Sequence, residues 1–415
     1  MEAPTVDFNF SVGLNAGYTT GLSGVAQPNA QGQLATGSSY GGGVSVGLSG
    51  AHSWRHTHLG VNYNGNYSYY PDAGAYNSFG QSLSIGLTHQ FTKHISFTLR
   101  ESSGMFTQFA PSTTALNESV PFDPSQSFIP STDFYNNRTI YSTTQASLVI
   151  QKSTRLSFSL GGGYFANLRS NTALYNATGQ LATGDVQYRV SKSTTVGATY
   201  SFDHFGYNHS IGGAFIHTAG LSLSTRIGRW TEISLSAGAS RVESTFQQTV
   251  PIAPAILAIL CPANETVACP LTAGTVNTHS LYWGPNFSAR ISRSFHRGVV
   301  YVGGGESVTP GNGLFLTSRV TQAAAGYGYS GLKKWNMNVS VSYGTALSLG
   351  NVTGKYAQVA GAFGLSRQII PKISFLTSFS ATQYQSGTFS LYNRFIYSAS
   401  AGIGWSSRNI PVRFF

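Results

Sequence analysis

Charge is scarce in this sequence. Only 9% of its 415 residues are Asp, Glu, Lys or Arg, and just 13 of them are acidic. Soluble globular proteins carry roughly 25% charged residues. The low charge therefore argues against an ordinary cytosolic protein, and it suits a protein wall that faces lipid on one side.

Long hydrophobic runs are also missing. No window reaches the ~18 consecutive apolar residues that a transmembrane helix requires. The longest apolar run, at positions 250–261, is interrupted by Pro251 and Pro254. Only helices and closed barrels satisfy every backbone polar group in lipid. If this chain spans a membrane, it must therefore do so as a β-barrel.

Cysteine is nearly absent. The two cysteines, Cys261 and Cys269, are close in sequence and fall in one predicted loop. This spacing predicts a small disulfide formed in an oxidising compartment. The opening residues, Met1 to Pro4, show no secretory signal. We interpret the sequence as a mature chain with an added initiator methionine, because an outer-membrane protein needs an export signal.

What the sequence does contain is alternation. In the stretch from Ser82 to Arg100, apolar residues alternate with small polar ones on both sides of a short break, Thr92-Lys93-His94. A period of two places the apolar set on one face of a strand and the polar set on the other. Two such strands around a tight basic turn predict a β-hairpin.

The same pattern recurs along the chain and predicts eighteen antiparallel strands closed into a single barrel. The predicted strands cover residues 6–14, 40–50, 57–70, 82–91, 95–109, 140–150, 155–169, 179–190, 194–207, 214–227, 231–247, 278–293, 298–308, 316–329, 335–349, 356–368, 372–386 and 392–406.

The predicted connections alternate in kind. One set is short and basic, and four of the five tryptophans lie near it: Trp54, Trp230, Trp335 and Trp405. The other set is longer and holds acidic residues such as Asp72, Glu118 and Glu265. Short periplasmic turns, longer outer loops and aromatic girdles characterise outer-membrane barrels. We therefore predict that the short basic turns are periplasmic and that these tryptophans lie at the membrane interface.

With these features the chain resembles the bacterial outer-membrane porin-like β-barrels, as a pattern over residues 6–406. The resemblance implies an outer-membrane location and, since such barrels are often trimers, a homo-oligomer. Barrels of this kind often end in an aromatic residue, and this chain ends in Phe414-Phe415. Pro411 and Arg413 interrupt the alternation. We therefore expect residues 1–406 to form the barrel and residues 407–415 a periplasmic tail or the end of the last strand.

The residues that alternate with the apolar ones along each predicted strand are expected to face the lumen. They predict a lumen lined by Ser, Thr, Gly and Asn. Barrels of 16–18 strands generally enclose a water-filled channel, and rings of Arg favour anions. The sequence therefore predicts passive diffusion of small polar solutes or ions, with a mild anion preference. The charged residues predicted to face the lumen and to set its field or bind a solute are Asp7, Arg100, Arg169, Arg189, Asp203, Arg290, Arg319 and Arg394. Parity also places Arg226, Asp185 and Glu232 there, so that seven arginines face four acids.

Two other architectures are compatible with parts of the sequence. A structural or adhesive barrel would have its pore plugged, or a partner bound, by the long loops 110–136 and 250–276. The second of these loops carries Ile256, Leu257, Ile259 and Leu260, which are costly to expose. A soluble sandwich or propeller is less compatible, because a blade repeat of ~40–45 residues is absent.

Other chemistries find little support. The net charge of +11 is spread over many turns without a cluster, which favours contact with anionic lipid headgroups over nucleic acid. His52, His56 and His58 have no neighbouring Cys or carboxylate to complete a metal site. Asp203 and His204 are adjacent on a strand and point to opposite faces, so they cannot form a hydrolase pair. We predict no enzymatic activity and no cofactor.

Overall fold

The chain forms a β-barrel. The computed structural model describes residues 5–23, 36–71, 77–107, 138–171, 174–208, 211–251, 273–311, 313, 316–332, 334–349, 354–387, 393–407 and 410–413. The strands are β1 (Thr5–Ser23), β2 (Thr36–Ser53), β3 (Thr57–Tyr69), β4 (Ser78–Thr92), β5 (Ile95–Thr107), β6 (Arg138–Gln151), β7 (Leu156–Arg169), β8 (Ala177–Arg189), β9 (Thr194–Tyr207), β10 (Gly212–Ile227), β11 (Thr231–Pro251), β12 (Ala273–Phe295), β13 (Gly298–Gly311), β14 (Leu316–Tyr329), β15 (Trp335–Ser348), β16 (Lys355–Ile370), β17 (Ile373–Ser386), β18 (Arg394–Ser406) and β19 (Ile410–Arg413).

The barrel is closed by its first strand. Each of β2 to β18 pairs antiparallel with the strand before it, and β1 pairs with both β2 and β18. This confirms the prediction of one closed barrel of eighteen antiparallel strands. Within the described residues, no helix is long and apolar enough to cross a membrane.

Alternation along the strands separates two faces. Large apolar side chains, among them Leu14, Tyr40 and Leu221, project outward and are 60%, 72% and 69% exposed. Between them, Ser, Thr, Gly and Asn point inward. A continuous apolar outer belt is stable only against lipid, so the barrel is built to span a membrane.

The two rims differ as predicted. The connections β2–β3, β4–β5 and so on to β16–β17 are short, and they share one rim, here called the short-turn rim. Lys93, Lys192 and Lys334 all lie there, as the topology prediction requires. The opposite rim, which carries the connections from β1–β2 to β17–β18, is called the long-loop rim.

Several strands are longer than the pattern predicted. The β11–β12 ladder continues to the pair Pro251–Ala273, so the predicted loop 250–276 is partly strand. Cooperative pairing between neighbours extends a ladder beyond the residues whose side chains alternate. Loop 110–136 and the predicted Cys261–Cys269 disulfide lie outside the described residues.

The C-terminal residues rejoin the sheet. β19 pairs with Thr5–Phe8 of β1, after β18 has paired with the rest of that strand. Between them, the Ser407 N–H donates to the Phe10 carbonyl oxygen (2.7 Å) and the Phe10 N–H donates to Ser407 Oγ (2.8 Å). Pro411 is tolerated because it sits in a short ladder that closes the barrel at its edge.

The long-loop end of one hairpin bends into the barrel. β12 and β13 pair only from Phe295–Gly298 up to Phe287–Glu306, although β12 continues to Ala273 along β11. Beyond that point β13 and β14 turn into the barrel. The departure follows Gly303-Gly304-Gly305, where a Cβ on Gly305 would lie 2.5 Å from the Phe287 carbonyl oxygen. Glycine is needed for this close approach.

Candidate transport lumen

On many strands the inner wall changes from exposed near the short-turn rim to buried near the long-loop rim. On the inner face of β3, His58 and Asn62, towards the short-turn rim, are exposed. Ser68 and Tyr70, towards the long-loop rim, are 5% and 4% exposed. The lumen therefore has an accessible half, here called the vestibule, and a filled half, here called the upper lumen.

Inner-face residues of the upper lumen are buried on most strands of the barrel. Inner-face residues near the long-loop rim are buried on many strands, including Thr19, Ser39, Ser78, Thr139, Ala177, Ile216, Val242, Val320, Ala346, Tyr356, Tyr384 and Ile396. These strands lie on several sides of the ring, so the burial is not confined to one wall, although Thr278 and Ser280 on the inner face of β12 are exposed.

The β13–β14 hairpin fills part of this level. The Tyr207 hydroxyl of β9 contacts the Pro310 carbonyl oxygen (3.1 Å) and Thr317 Oγ1 (2.8 Å), and it accepts from the Thr317 N–H (2.8 Å). The Tyr175 N–H, beside β8, donates to the Gly313 carbonyl oxygen (2.9 Å). Strands β10 to β12 separate these partners along the sheet, so the contacts cross the lumen.

An apolar cluster accompanies the polar contacts. Leu316, at the start of β14, is fully buried and belongs to a cluster on the inner faces of β8 to β11. The other buried members are Ala177, Phe205, Tyr207, Ile216, Val242 and Phe246. A water-filled pore does not need a cluster of buried apolar side chains. The wall formed by β8 to β11 therefore packs against the inward hairpin and supports it.

Arg319 lies on the opposite face from the one predicted. It pairs opposite Val308 and Leu347. It therefore lies on the same apolar face of β14 as Ala323 and Tyr327. Because the hairpin tucks inside β12, that face meets the inner-face Tyr282. Arg319 Nη1 donates to the Tyr282 hydroxyl (2.8 Å), and Arg319 Nε lies 3.8 Å from a Glu306 carboxylate oxygen.

The vestibule holds exposed arginines. The register places Arg100, Arg189 and Arg290 on the inner face, opposite Gly86, Thr195 and Gly303 respectively. The side chains of Arg100 and Arg189 are exposed, and that of Arg290 is half-buried.

Three further charges line the vestibule near the short-turn rim. Arg226 faces Glu232 across the β10–β11 ladder. Asp185 accepts a hydrogen bond from Ser159 Oγ (2.9 Å). The vestibule therefore carries four arginines against two acids among the described side chains.

Three of the remaining predicted lumen charges, Arg169, Asp203 and Arg394, lie in the upper lumen. Arg169 Nη1 donates to the Tyr175 carbonyl oxygen (2.6 Å). The guanidinium of Arg394, which is 7% exposed, lies 5.0 Å above the Tyr384 ring. Asp203 lies between Leu181 and Ile216 on the inner face, while His204 faces outward and stacks on Phe215. Asp7 lies instead near the short-turn rim, where its backbone pairs with Ala51 and Pro411.

The predicted interfacial tryptophans lie near the short-turn rim. Trp54 and Trp230 are 46% and 56% exposed. The Arg367 guanidinium lies 4.9 Å from the Trp335 ring centroid, and Trp405 meets Phe10 edge-on at 6.1 Å. Their amphipathic rings suit the headgroup region of a bilayer.

Sequence reasoning missed Glu101. It pairs opposite Ile85 and Thr144, and therefore lies on the apolar outer face of β5. Its carboxylate accepts from Ser103 Oγ (2.5 Å), Ser142 Oγ (2.8 Å) and Thr144 Oγ1. The alternation Ile95, Phe97, Leu99 continues to position 101, so counting parity two residues further would have found it.

No protein-family model and no curated protein sequence matches this chain. Structure comparison finds outer-membrane barrels at low similarity. The ferric-catecholate import receptor Fiu of E. coli K12 aligns over 98% of this chain and 82% of its own, at 9% identity and TM-score 0.46. Pseudomonas aeruginosa OccK2 (OpdF), in complex with glucuronate, aligns over 98% of both chains at 11% identity and TM-score 0.46. Acinetobacter baumannii OccAB4 aligns over 98% and 99%, at 11% identity and TM-score 0.43.

Proposed function

We propose that the protein is an outer-membrane channel for passive diffusion of small polar solutes or ions, with a mild preference for anions. The observation that carries this proposal is the vestibule. Its wall is small and polar, and Arg100 and Arg189 are exposed on it. Inward charge in a narrow aqueous space is screened less than charge on an open surface, where the field fades over ~8–10 Å.

The preference should be mild, for two reasons. Ser, Thr, Asn and Gly line most of the vestibule. The pairing of Arg226 opposite Glu232 also cancels part of the excess near the rim. A solute must also pass the upper lumen, where the inward hairpin occupies part of the barrel's cross-section.

The test is a zero-current potential across a planar bilayer under a salt gradient. We expect anions to pass better than cations, less so as salt rises. Replacing Arg100, Arg189 and Arg290 together by Gln should abolish or reverse the preference. A control variant, Arg293→Gln, alters an outward-facing arginine at the end of β12 and should leave the preference unchanged. A cation preference of the unaltered protein would contradict the proposal.

A structural or adhesive barrel is the second candidate, and the buried ring of the upper lumen favours it. If this level is closed at all times, properly inserted protein gives no conductance in the same bilayer. In that case the inward hairpin is a permanent plug, and the vestibule arginines have no solute to select.

A further inference from the structure

An ion pair lies on the outer face of β11. The side chains of Arg241 and Glu243 form a salt bridge, and they are 41% and 44% exposed. Trp283 of β12 pairs opposite Arg241 and is 63% exposed. Phe215 of β10 pairs opposite Glu243 and is 46% exposed. Because these neighbours are large outward side chains, the ion pair belongs to the outer surface and not to the lumen.

The ion pair stands at the far boundary of the apolar belt. Arg241 is ten residues beyond Thr231, where β11 begins at the short-turn rim. This is about 34 Å along the strand, and a typical tilt of about 40° reduces it to about 26 Å above the rim. The apolar band of outer-membrane barrels is about 25 Å tall. The pair therefore meets the lipid headgroups of the leaflet nearer the long-loop rim.

A histidine adds a second donor beside the arginine. His217 pairs directly opposite Arg241, and its Nδ1 lies 2.8 Å from the Tyr200 hydroxyl. With Tyr200 donating to Nδ1, His217 carries its proton on Nε2 and can donate it to a ligand. On the other side, the Arg241 guanidinium lies 5.9 Å from the Trp283 ring centroid. Arg241, His217 and Glu243, here called the Arg241 site, thus offer N–H donors beside one carboxylate.

An apolar groove lies below the Arg241 site, towards the short-turn rim. Its volume is about 640 Å³, and its large outward side chains are Val186, Tyr188, Val196, Leu221, Leu223 and Leu235. Ala237, at the upper end of the groove, is four residues from Arg241, which is about 13 Å along the strand. Between them the outward residues are the small Ala219 and Ala239. A hydrocarbon chain attached to a headgroup at the Arg241 site can therefore reach the groove.

We propose that the Arg241 site and the groove below it bind one zwitterionic aminophospholipid of the phosphatidylethanolamine class. The lipid phosphate accepts hydrogen bonds from the Arg241 guanidinium and from His217 Nε2–H, and the lipid ammonium donates to the Glu243 carboxylate. One acyl chain lies in the groove, where it covers apolar side chains.

Charge complementarity selects this headgroup over others. The salt bridge presents one positive and one negative side chain at the same height, and the headgroup carries one negative and one positive group. A headgroup with a phosphate and no amine would bring its charge against the Glu243 carboxylate. A trimethylated amine, as in phosphatidylcholine, has no N–H to donate to that carboxylate. The primary ammonium is the form that satisfies both side chains.

The experiment identifies the lipids that stay bound to the full chain. The protein is reconstituted into vesicles of equal parts phosphatidylethanolamine, phosphatidylglycerol and phosphatidylcholine, extracted in mild detergent and weighed by native mass spectrometry. We expect one retained phosphatidylethanolamine per barrel, in preference to the other two lipids. Arg241→Gln should lower this retention about three- to tenfold, since charged hydrogen bonds at a half-exposed site contribute modestly. Arg100→Gln makes the same change of charge on the inner face and should leave the retention unchanged.

A second variant tests the headgroup, and a labelled lipid tests the groove. Glu243→Gln keeps the size of the side chain and removes its charge, so the preference for phosphatidylethanolamine over the other two lipids should disappear. A phosphatidylethanolamine with a photoactivatable diazirine midway along one acyl chain, irradiated after extraction, should label residues 186–237.

Four results would each overturn the proposal: no retained lipid, preferential retention of phosphatidylglycerol or phosphatidylcholine by the unaltered protein, undiminished retention by Arg241→Gln, or labelling of other strands alone. An unchanged preference in Glu243→Gln would overturn the assignment of the ammonium to that carboxylate. None of these results depends on whether the barrel conducts.

Discussion

The vestibule and the upper lumen are built from the same strands but follow different rules. In the vestibule the inner side chains are small and polar, and backbone hydrogen bonds between neighbouring strands are enough to hold the wall together. In the upper lumen most inner side chains are buried, and on β8 to β11 apolar residues such as Phe205 and Ile216 replace the small polar ones. Water can fill a polar half-cylinder, whereas an apolar inner face is stable only when another part of the chain covers it.

The largest effect is expected from truncating Leu316, the buried residue that holds the hairpin against the wall. Leu316→Ala should lower the free energy of unfolding by about 2–5 kcal/mol, because Leu316 is fully buried and leaves a cavity. The measurement is guanidinium unfolding from vesicles, followed by tryptophan fluorescence. Leu332→Ala, in an exposed turn of the short-turn rim, should change stability by less than about 0.5 kcal/mol. Equal losses for both variants would refute the packed upper lumen.

The hydrogen bonds of Tyr207 across the lumen, here called the polar latch, are expected to give a smaller effect. Tyr207→Phe removes a hydroxyl that serves Pro310 and Thr317, and leaving those buried groups unpaired should cost about 1–3 kcal/mol. If the protein conducts, the looser hairpin should also raise conductance in the planar bilayer. Tyr40→Phe, on an outward residue that is 72% exposed, is the control. An unchanged unfolding midpoint for Tyr207→Phe would show that the latch contributes nothing.

The glycines of the two regions can be compared directly. Gly305→Ala should destabilise by about 1–3 kcal/mol through overpacking, because its Cβ would lie 2.5 Å from the Phe287 carbonyl oxygen. Gly86→Ala, on the inner face of β4 in the vestibule, places its Cβ where no atom lies within 4 Å. Unfolding from vesicles should separate the two variants clearly. A tolerated Gly305→Ala would mean that the glycine triplet has no part in turning the hairpin inward.

The smallest expected effect separates an exposed arginine from a buried one. Arg100→Gln should shift the zero-current potential slightly towards cations, while stability stays within about 0.5 kcal/mol. Arg394→Gln should leave the potential nearly unchanged and lower stability by about 1 kcal/mol, because the guanidinium stacks on Tyr384. The same shift in potential from both variants would show that the upper lumen is as open as the vestibule.

The fold was predictable because a barrel is encoded locally. Alternation fixed the strand count, and the basic turns fixed which connections share a rim. Strand ends were less predictable, as in β11 and β12, where backbone pairing continues to Pro251 and Ala273 after the side-chain pattern fades. The Asp203–His204 pair also followed parity, with one residue inward and the other outward.

The face on which a charged residue lies was likewise predictable on some strands and not on others. Where one face is clearly apolar, as on β5 and β8, parity sufficed for Arg100 and Arg189. On β14 both faces mix apolar and small residues, so parity offered no contrast, and Arg319 was assigned to the wrong face. Alternation correctly places Glu101 on the outer face of β5, but a carboxylate is not the kind of residue expected on that apolar face.

By itself the sequence determined the barrel, its closure and the sides of its wall, because a period of two and a turn are properties of a few consecutive residues. The tertiary structure alone decided that the long-loop ends of β13 and β14 bend into the lumen, since this depends on strands far apart in the chain meeting at Tyr207 and Thr317. It also decided that the lumen has two halves. Burial is set by what lies across the barrel, and no local pattern contains that information.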